Sequence, residues 1–172
     1  TNLEYLNQLC EINYDALPKQ DQLTYEILQN YLQEDTLFHN YLYYSECIRP
    51  TTGIQAQLPI LLAEYNFYTK DDINTYLKLL PCIKPYFNSI IQFEQEKADL
   101  GLFMSDYLAD QVISQCEAFI SDPDSNYLIE YFNHRIDEYP SLSKKERSQL
   151  KLQNEEAVKK YVLPAYQELI DA

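Results

Sequence analysis

Residues 43–68 read YYSECIRPTTGIQAQLPILLAEYNFY. This stretch holds one of only two glycines in 172 residues and is the one long break in an otherwise helical text. Pro50 drives Arg49 away from helical geometry. Thr51-Thr52-Gly53 then reads as a turn in which Gly53 takes a positive φ. Pro59 suits the first turn of a new helix, predicted over 60–66.

On either side of this break the apolar residues recur at helical spacing. Leu3, Leu6, Leu9, Cys10 and Tyr14 form a stripe that stops near Pro18. A second helix is predicted over 21–44, capped by Asp21, with Leu23, Ile27, Leu28, Tyr31, Leu32 and Phe38 on its inner side. Downstream, Thr69 with Asp72 reads as a cap and first-turn acid for a helix over 70–80. The spacing predicts further helices over 82–99, stopped by Gly101, and over 105–120. Asp122-Pro123 reads as a cap with proline at the first helical position, for a helix through Ile136. Ser143 with Glu146 reads as a capping box for a last helix, which Pro164 kinks or restarts near Leu163. No strand pattern interrupts the series. The prediction is an all-α fold of seven or eight mostly antiparallel helices with short loops, a bundle or array forming a single helical domain over 1–172.

Composition narrows the function classes. At 46% apolar residues the chain can bury a sizeable core, and with no Trp, its 17 Tyr and 7 Phe supply much of the volume. Each buried Tyr also brings a hydroxyl that needs a partner. The net charge is −14. Residues 1–143 carry 7 basic and 22 acidic side chains (−15), and residues 144–172 carry 6 and 5 (+1). This charge argues against nucleic acid and anionic membrane surfaces as partners, because both favour clustered Lys and Arg. No apolar run approaches the ~20 residues that span a membrane. No signal-peptide core precedes the text, and Asn7-Gln8-Leu9-Cys10 lacks the small residues of a lipid-attachment box.

Cysteines at 10, 47, 82 and 116 form no C-x-x-C and read as small buried hydrophobes. Their near-regular spacing invites a helical repeat, but the flanks of Cys10 and Cys116 share nothing else. His39 and His134 match no H-E-x-x-H, so neither is assigned a metal. A G-x-S-x-G elbow and a Gly-rich phosphate loop are both missing. No catalytic residue and no cofactor are assigned to this chain.

What remains is a set of cleft-wall candidates around the break. Glu64 stands among bulky residues in Leu61-Leu62-Ala63-Glu64-Tyr65, where a half-buried acid would need a partner, and Arg49 is the nearest base in sequence. Tyr44, Gly53, Gln55 and Tyr65 complete the set. Aromatic rings with polar tips suit a peptide or sugar cleft, and more often form core with satisfied hydroxyls.

The order of features carries a resemblance. A helix ending in aromatics leads to Arg49-Pro50-Thr51-Thr52-Gly53 and Gln57-Leu58-Pro59-Ile60-Leu61-Leu62. Tyr65-Asn66-Phe67, Asp71-Asp72, Tyr76-Leu77 and Leu79-Leu80 follow. Then come Glu96-Lys97, Gly101, Asp110-Gln111-Val112-Ile113, and finally Val162-Leu163-Pro164-Ala165-Tyr166-Gln167-Glu168-Leu169. Over essentially its whole length this resembles the amino-terminal part of the bacterial domain-of-unknown-function family DUF885. Members of that family are described as lipoproteins or zinc-metallopeptidase-like proteins and are much longer. Their His-Glu-x-x-Pro-Gly-His motif lies in the carboxy-terminal half, and nothing here matches it. The resemblance therefore implies a non-catalytic helical portion of a zinc-dependent peptidase, with zinc held elsewhere in the full-length protein. Its partner would be the missing carboxy-terminal half, or a second copy through self-association, and its ligand a peptide. The alternative expectation is a stand-alone helical module that binds a peptide or protein.

Overall fold

The computed structural model describes residues 2–172, apart from the side chains of His39 and Asn40. Every regular element among these residues is helical. By contacts the chain divides into two compact units, one ending at Ser45 and the other running from Glu46 to Ala172.

The first unit is a hairpin of α1 (Asn2–Cys10) and α2 (Lys19–Phe38), joined through a 3-10 turn at Tyr14–Ala16 and followed by another at His39–Tyr44. Asn2 Nδ2 donates to Asp35 Oδ2 at 2.7 Å, tying the start of α1 to the end of α2, so the two run antiparallel. Tyr14 packs edge-on against Tyr25 and donates to Glu26. The predicted helix to Tyr44 breaks earlier, because Tyr41 leaves helical geometry at φ −113°.

The inner side of α2 also differs from its prediction. Leu32 is buried, and Gln22, Tyr25, Gln29 and Thr36 are half-buried beside it. Leu23, Ile27, Leu28, Tyr31 and Phe38 are all exposed. At 100° per residue, Leu23, Ile27, Tyr31 and Phe38 form one stripe roughly opposite Leu32. Helical spacing marked an apolar stripe correctly but could not say what it faces.

The second unit contains α3 (Ile54–Ala63), α4 (Lys70–Leu79), α5 (Ile83–Asp99), α6 (Asp106–Ile120), α7 (Tyr127–Glu138), α8 (Lys144–Ala157) and α9 (Leu163–Asp171). Its α9 packs on α5 and α6, and α8 packs on α7 and α4. Tyr76, Phe87, Leu80, Leu128, Ile136, Val158 and Tyr166 are fully buried where these helices meet. Their rings join in two sets. Tyr76 stacks on Phe132 with Tyr65 and Phe67 alongside, and Tyr166 lies between Phe87 and Phe119.

Local chemistry accounts for most helix ends. The predicted capping boxes form at Thr69–Asp72 and Ser143–Glu146. Gly101, at φ +71°, ends α5 with a paired closure: its own N–H donates to Ala98 O, and the Leu102 N–H donates to Lys97 O. The cap of α7 is Asn126 rather than Asp122. Asn126 accepts from the Leu128 N–H, while Asp122 turns back to accept from the Ser125 N–H. Pro164 stands at the start of α9 as predicted, and a π turn at Val158–Val162 leads into it. The wider turn lets the Leu163 N–H reach Val158 O just before a residue that has no N–H to give. Of the four cysteines only Cys116 is buried; Cys47 is half-buried, and Cys10 and Cys82 are exposed.

Candidate functional site

The turn at Arg49–Gly53 and the helix it launches are set by backbone crowding. The residue with positive φ is Thr51, at +66°, and Gly53 has an ordinary φ of −69°. Gly53 is required for a different reason. A Cβ there would lie 2.2 Å from Gln55 Oε1, 2.4 Å from Arg49 N and 2.6 Å from Arg49 O. The chain folds back so tightly that no side chain fits, and the Gly53 N–H donates to Arg49 O at 3.0 Å.

Helix α3 starts directly at Ile54, so Pro59 lies inside it and not at its first turn. A proline there leaves the carbonyl four residues back, that of Gln55, without its helical donor. The Tyr166 hydroxyl fills the gap, donating to Gln55 O at 2.7 Å from 111 residues away in sequence. Burial pushes the Tyr166 phenol far above its usual range, so it stays a donor. The Gln55 side chain is just as enclosed. Its Nε2 donates to Arg49 O at 2.7 Å and to Gln115 Oε1 at 3.3 Å, while its Oε1 is buried without a partner.

The candidates therefore separate. Gly53 and Gln55 are buried and hold the turn. Arg49 and Glu64 are exposed, with Glu64 at the C-cap of α3, and no ion pair between them is found among the described residues. The partner expected for Glu64 is not needed, because water reaches its carboxylate. Tyr65 is half-buried and packs its ring on Phe67 and Tyr76. Tyr44 belongs to the first unit, where it is exposed and edge-on to Tyr41.

Three residues missed in the sequence hold this region together. Arg135 donates to the carbonyls of Ala63 and Tyr65 and lies over the Phe67 ring, pinning the end of α3. Tyr166 and Gln115 supply two of the three partners of Gln55 described above. One signal was available: a proline inside a helical text implies an orphaned carbonyl four residues earlier. A second cluster also went unread. Glu94 and Lys97 on α5 are both buried and approach to 3.1 Å, with half-buried Cys47 near enough to sense both charges. Burial, then Glu94, raises the Cys47 thiol above its usual range, and Lys97 opposes them.

Among the described residues no group of three or more His, Cys, Asp or Glu side chains is gathered as a metal site requires. His134 Nδ1 approaches Glu138 Oε2 at 3.5 Å on an exposed face of α7, and no third ligand-type side chain joins them among the described residues. The His39 side chain lies outside the described residues. Among the same residues no helix is long and apolar enough to cross a membrane.

Comparison with known proteins gives two findings. Residues 2–172 match the model of a family described as "Bacterial protein of unknown function (DUF885)". The fold is similar to the crystal structure of the "putative lipoprotein from Colwellia psychrerythraea", with a TM-score of 0.83 at 15% identity. That likeness covers 99% of this chain and 31% of the other, so this chain spans about a third of the length of the solved structure. Among curated proteins, none matches.

Proposed function

This chain belongs to the DUF885 family, and from that premise we propose that it is the non-catalytic, amino-terminal helical portion of a longer protein resembling a zinc-dependent peptidase, where it contributes one wall of the substrate cleft. The observation that carries the reading is the outward stripe of α2. Leu23, Ile27, Tyr31 and Phe38 are each about 60% exposed or more. A contiguous apolar face of this kind marks a surface that something else covers. The solved neighbour supplies a reason for it, since this chain accounts for only 31% of that structure.

In this reading the exposed Arg49 and Glu64 supply polar contacts on the wall, while Gly53 and Gln55 keep the turn rigid. Zinc and its catalytic water belong to the remainder of the protein. The neighbour's description as a lipoprotein is what supports an extracytoplasmic role as part of the same proposal.

The test compares the uninterrupted gene product with residues 1–172 alone, measuring bound zinc by mass spectrometry and hydrolysis of a peptide library. Zinc-dependent hydrolysis is expected in the longer protein only. Activity in residues 1–172 alone would overturn the division of labour. A reading frame that stops at Ala172 would favour a stand-alone helical module binding a peptide or protein through the α2 stripe.

A further inference from the structure

The second unit holds a cavity of about 410 Å³, walled by Ile48, Ile91, Phe103, Met104, Val112 and Ile113. That volume lies within the ~300–1,000 Å³ typical of small-molecule sites, which are mostly apolar with a few placed polar groups. Two of the lining residues are acids, Glu94 and Asp171, and none is basic.

Glu94 is the unusual member. It is 94% buried, at 6% relative exposure, and neither carboxylate oxygen has a hydrogen-bond partner. Lys97 Nζ comes within 3.1 Å of Oε2, an ion-pair approach without hydrogen-bond alignment, and Oε1 is left as an acceptor with no donor. A buried carboxylate in this state is costly, and a donor reaching it is rewarded accordingly. Glu94 and Lys97 are neutral as a pair, and Asp171, exposed at the rim with its Oδ1 accepting from Gln167 Nε2 at 2.7 Å, adds a negative charge that favours a cationic donor. The apolar walls specify the rest of the molecule.

The geometry points to this cavity as a binding site for a small amphiphilic cation, a primary ammonium carried on an apolar chain. Its chain lies among the side chains of α5 and α6, and its ammonium donates to Glu94 Oε1. Asp171, near the carboxy-terminal end of α9, attracts it at the rim. This site does not depend on the peptidase reading, and the two can fail separately.

The chain carries its own reporter, because Met104 in the cavity wall is its only methionine. The methyl signal of Met104 is followed by NMR as octylammonium, octanol and octanoate are titrated into the intact protein. Octylammonium is expected to shift the signal saturably, octanol more weakly and octanoate least. Glu94→Gln weakens octylammonium about tenfold, as expected for losing a charged acceptor, and leaves octanol unchanged. Asp171→Asn, on the exposed rim, weakens it by up to about fivefold and keeps the question decidable even where Glu94→Gln does not fold. Ile113→Trp fills the cavity and abolishes all three responses. Equal binding of octanoate and octylammonium would overturn the proposal, as would binding that survives Ile113→Trp or a Met104 signal that does not move.

Discussion

Gly53 and Gly101 are the two glycines of the chain, and they are needed for opposite reasons. Gly101 sits in open space at φ +71°, so a side chain there meets only the local cost of left-handed backbone. Gly101→Ala should cost about 1–2 kcal/mol. At Gly53 the backbone angle suits any residue, and the obstacle is Arg49 and Gln55. Gly53→Ala should cost about 1–3 kcal/mol through overpacking and should also disturb Gln55, which Gly101→Ala leaves untouched. Urea unfolding measures both costs, and the Gln55 side-chain amide signals separate them. Thr51, a β-branched residue at φ +66°, is strained, and Thr51→Gly should recover up to about 1 kcal/mol. The sequence identified this turn but misassigned its strained residue. Composition shows that a glycine is present; only the packed backbone shows whether an angle or a missing Cβ is what matters.

Helices in the second unit are joined by a few specific bonds, and two of them are open to test. Tyr166→Phe deletes the donor to Gln55 O and leaves a buried carbonyl unsatisfied, at about 1–3 kcal/mol by urea unfolding. The second bond links α4 to α8, where Lys70 Nζ donates to Glu146 Oε1 at 2.8 Å. The Lys70 ammonium, followed by the Ser143 backbone and hydroxyl, lowers the Glu146 carboxyl from 4.5 to about 2. A carboxyl lowered by folding stabilises the fold above its unfolded value and loses that contribution as it protonates. The α4–α8 link therefore acts in full above pH 4.5 and is lost as the pH falls toward 2. Glu146 should titrate near 2 by carboxyl NMR, and Lys70→Met should raise that midpoint. Capping boxes and the Gly101 stop were legible because their chemistry spans only a few residues. Pro59 was misread because a mid-helix proline is tolerated through a tyrosine 111 positions from the carbonyl it rescues.

At the scale of the molecule, the all-α class was legible from periodicity, and the direction of the α2 stripe was not. Periodicity reports that apolar residues share a face; whether that face meets Leu32's side or solvent depends on what else is present. Replacing Leu23 and Ile27 with Lys should leave the isolated chain folded and reduce its self-association in analytical ultracentrifugation. In the longer protein the same pair should lower stability, because there the face would be covered. The candidate site was legible only in part. Glu64, read as half-buried from its bulky neighbours, is exposed at the C-cap of α3, and the Glu94 pair and its cavity require helices brought together from distant segments. Calorimetry of the two forms of the protein checks the contrast.

The bond between Tyr166 and Gln55 has a consequence for biosynthesis. A ribosome delivers Gln55 111 positions before Tyr166. Until that tyrosine emerges, α3 is a short, proline-interrupted segment whose spare carbonyl only water can satisfy. In the nascent chain α3 therefore completes its bonding only once α9 has emerged, so the second unit closes when these two segments meet rather than growing outward from α3.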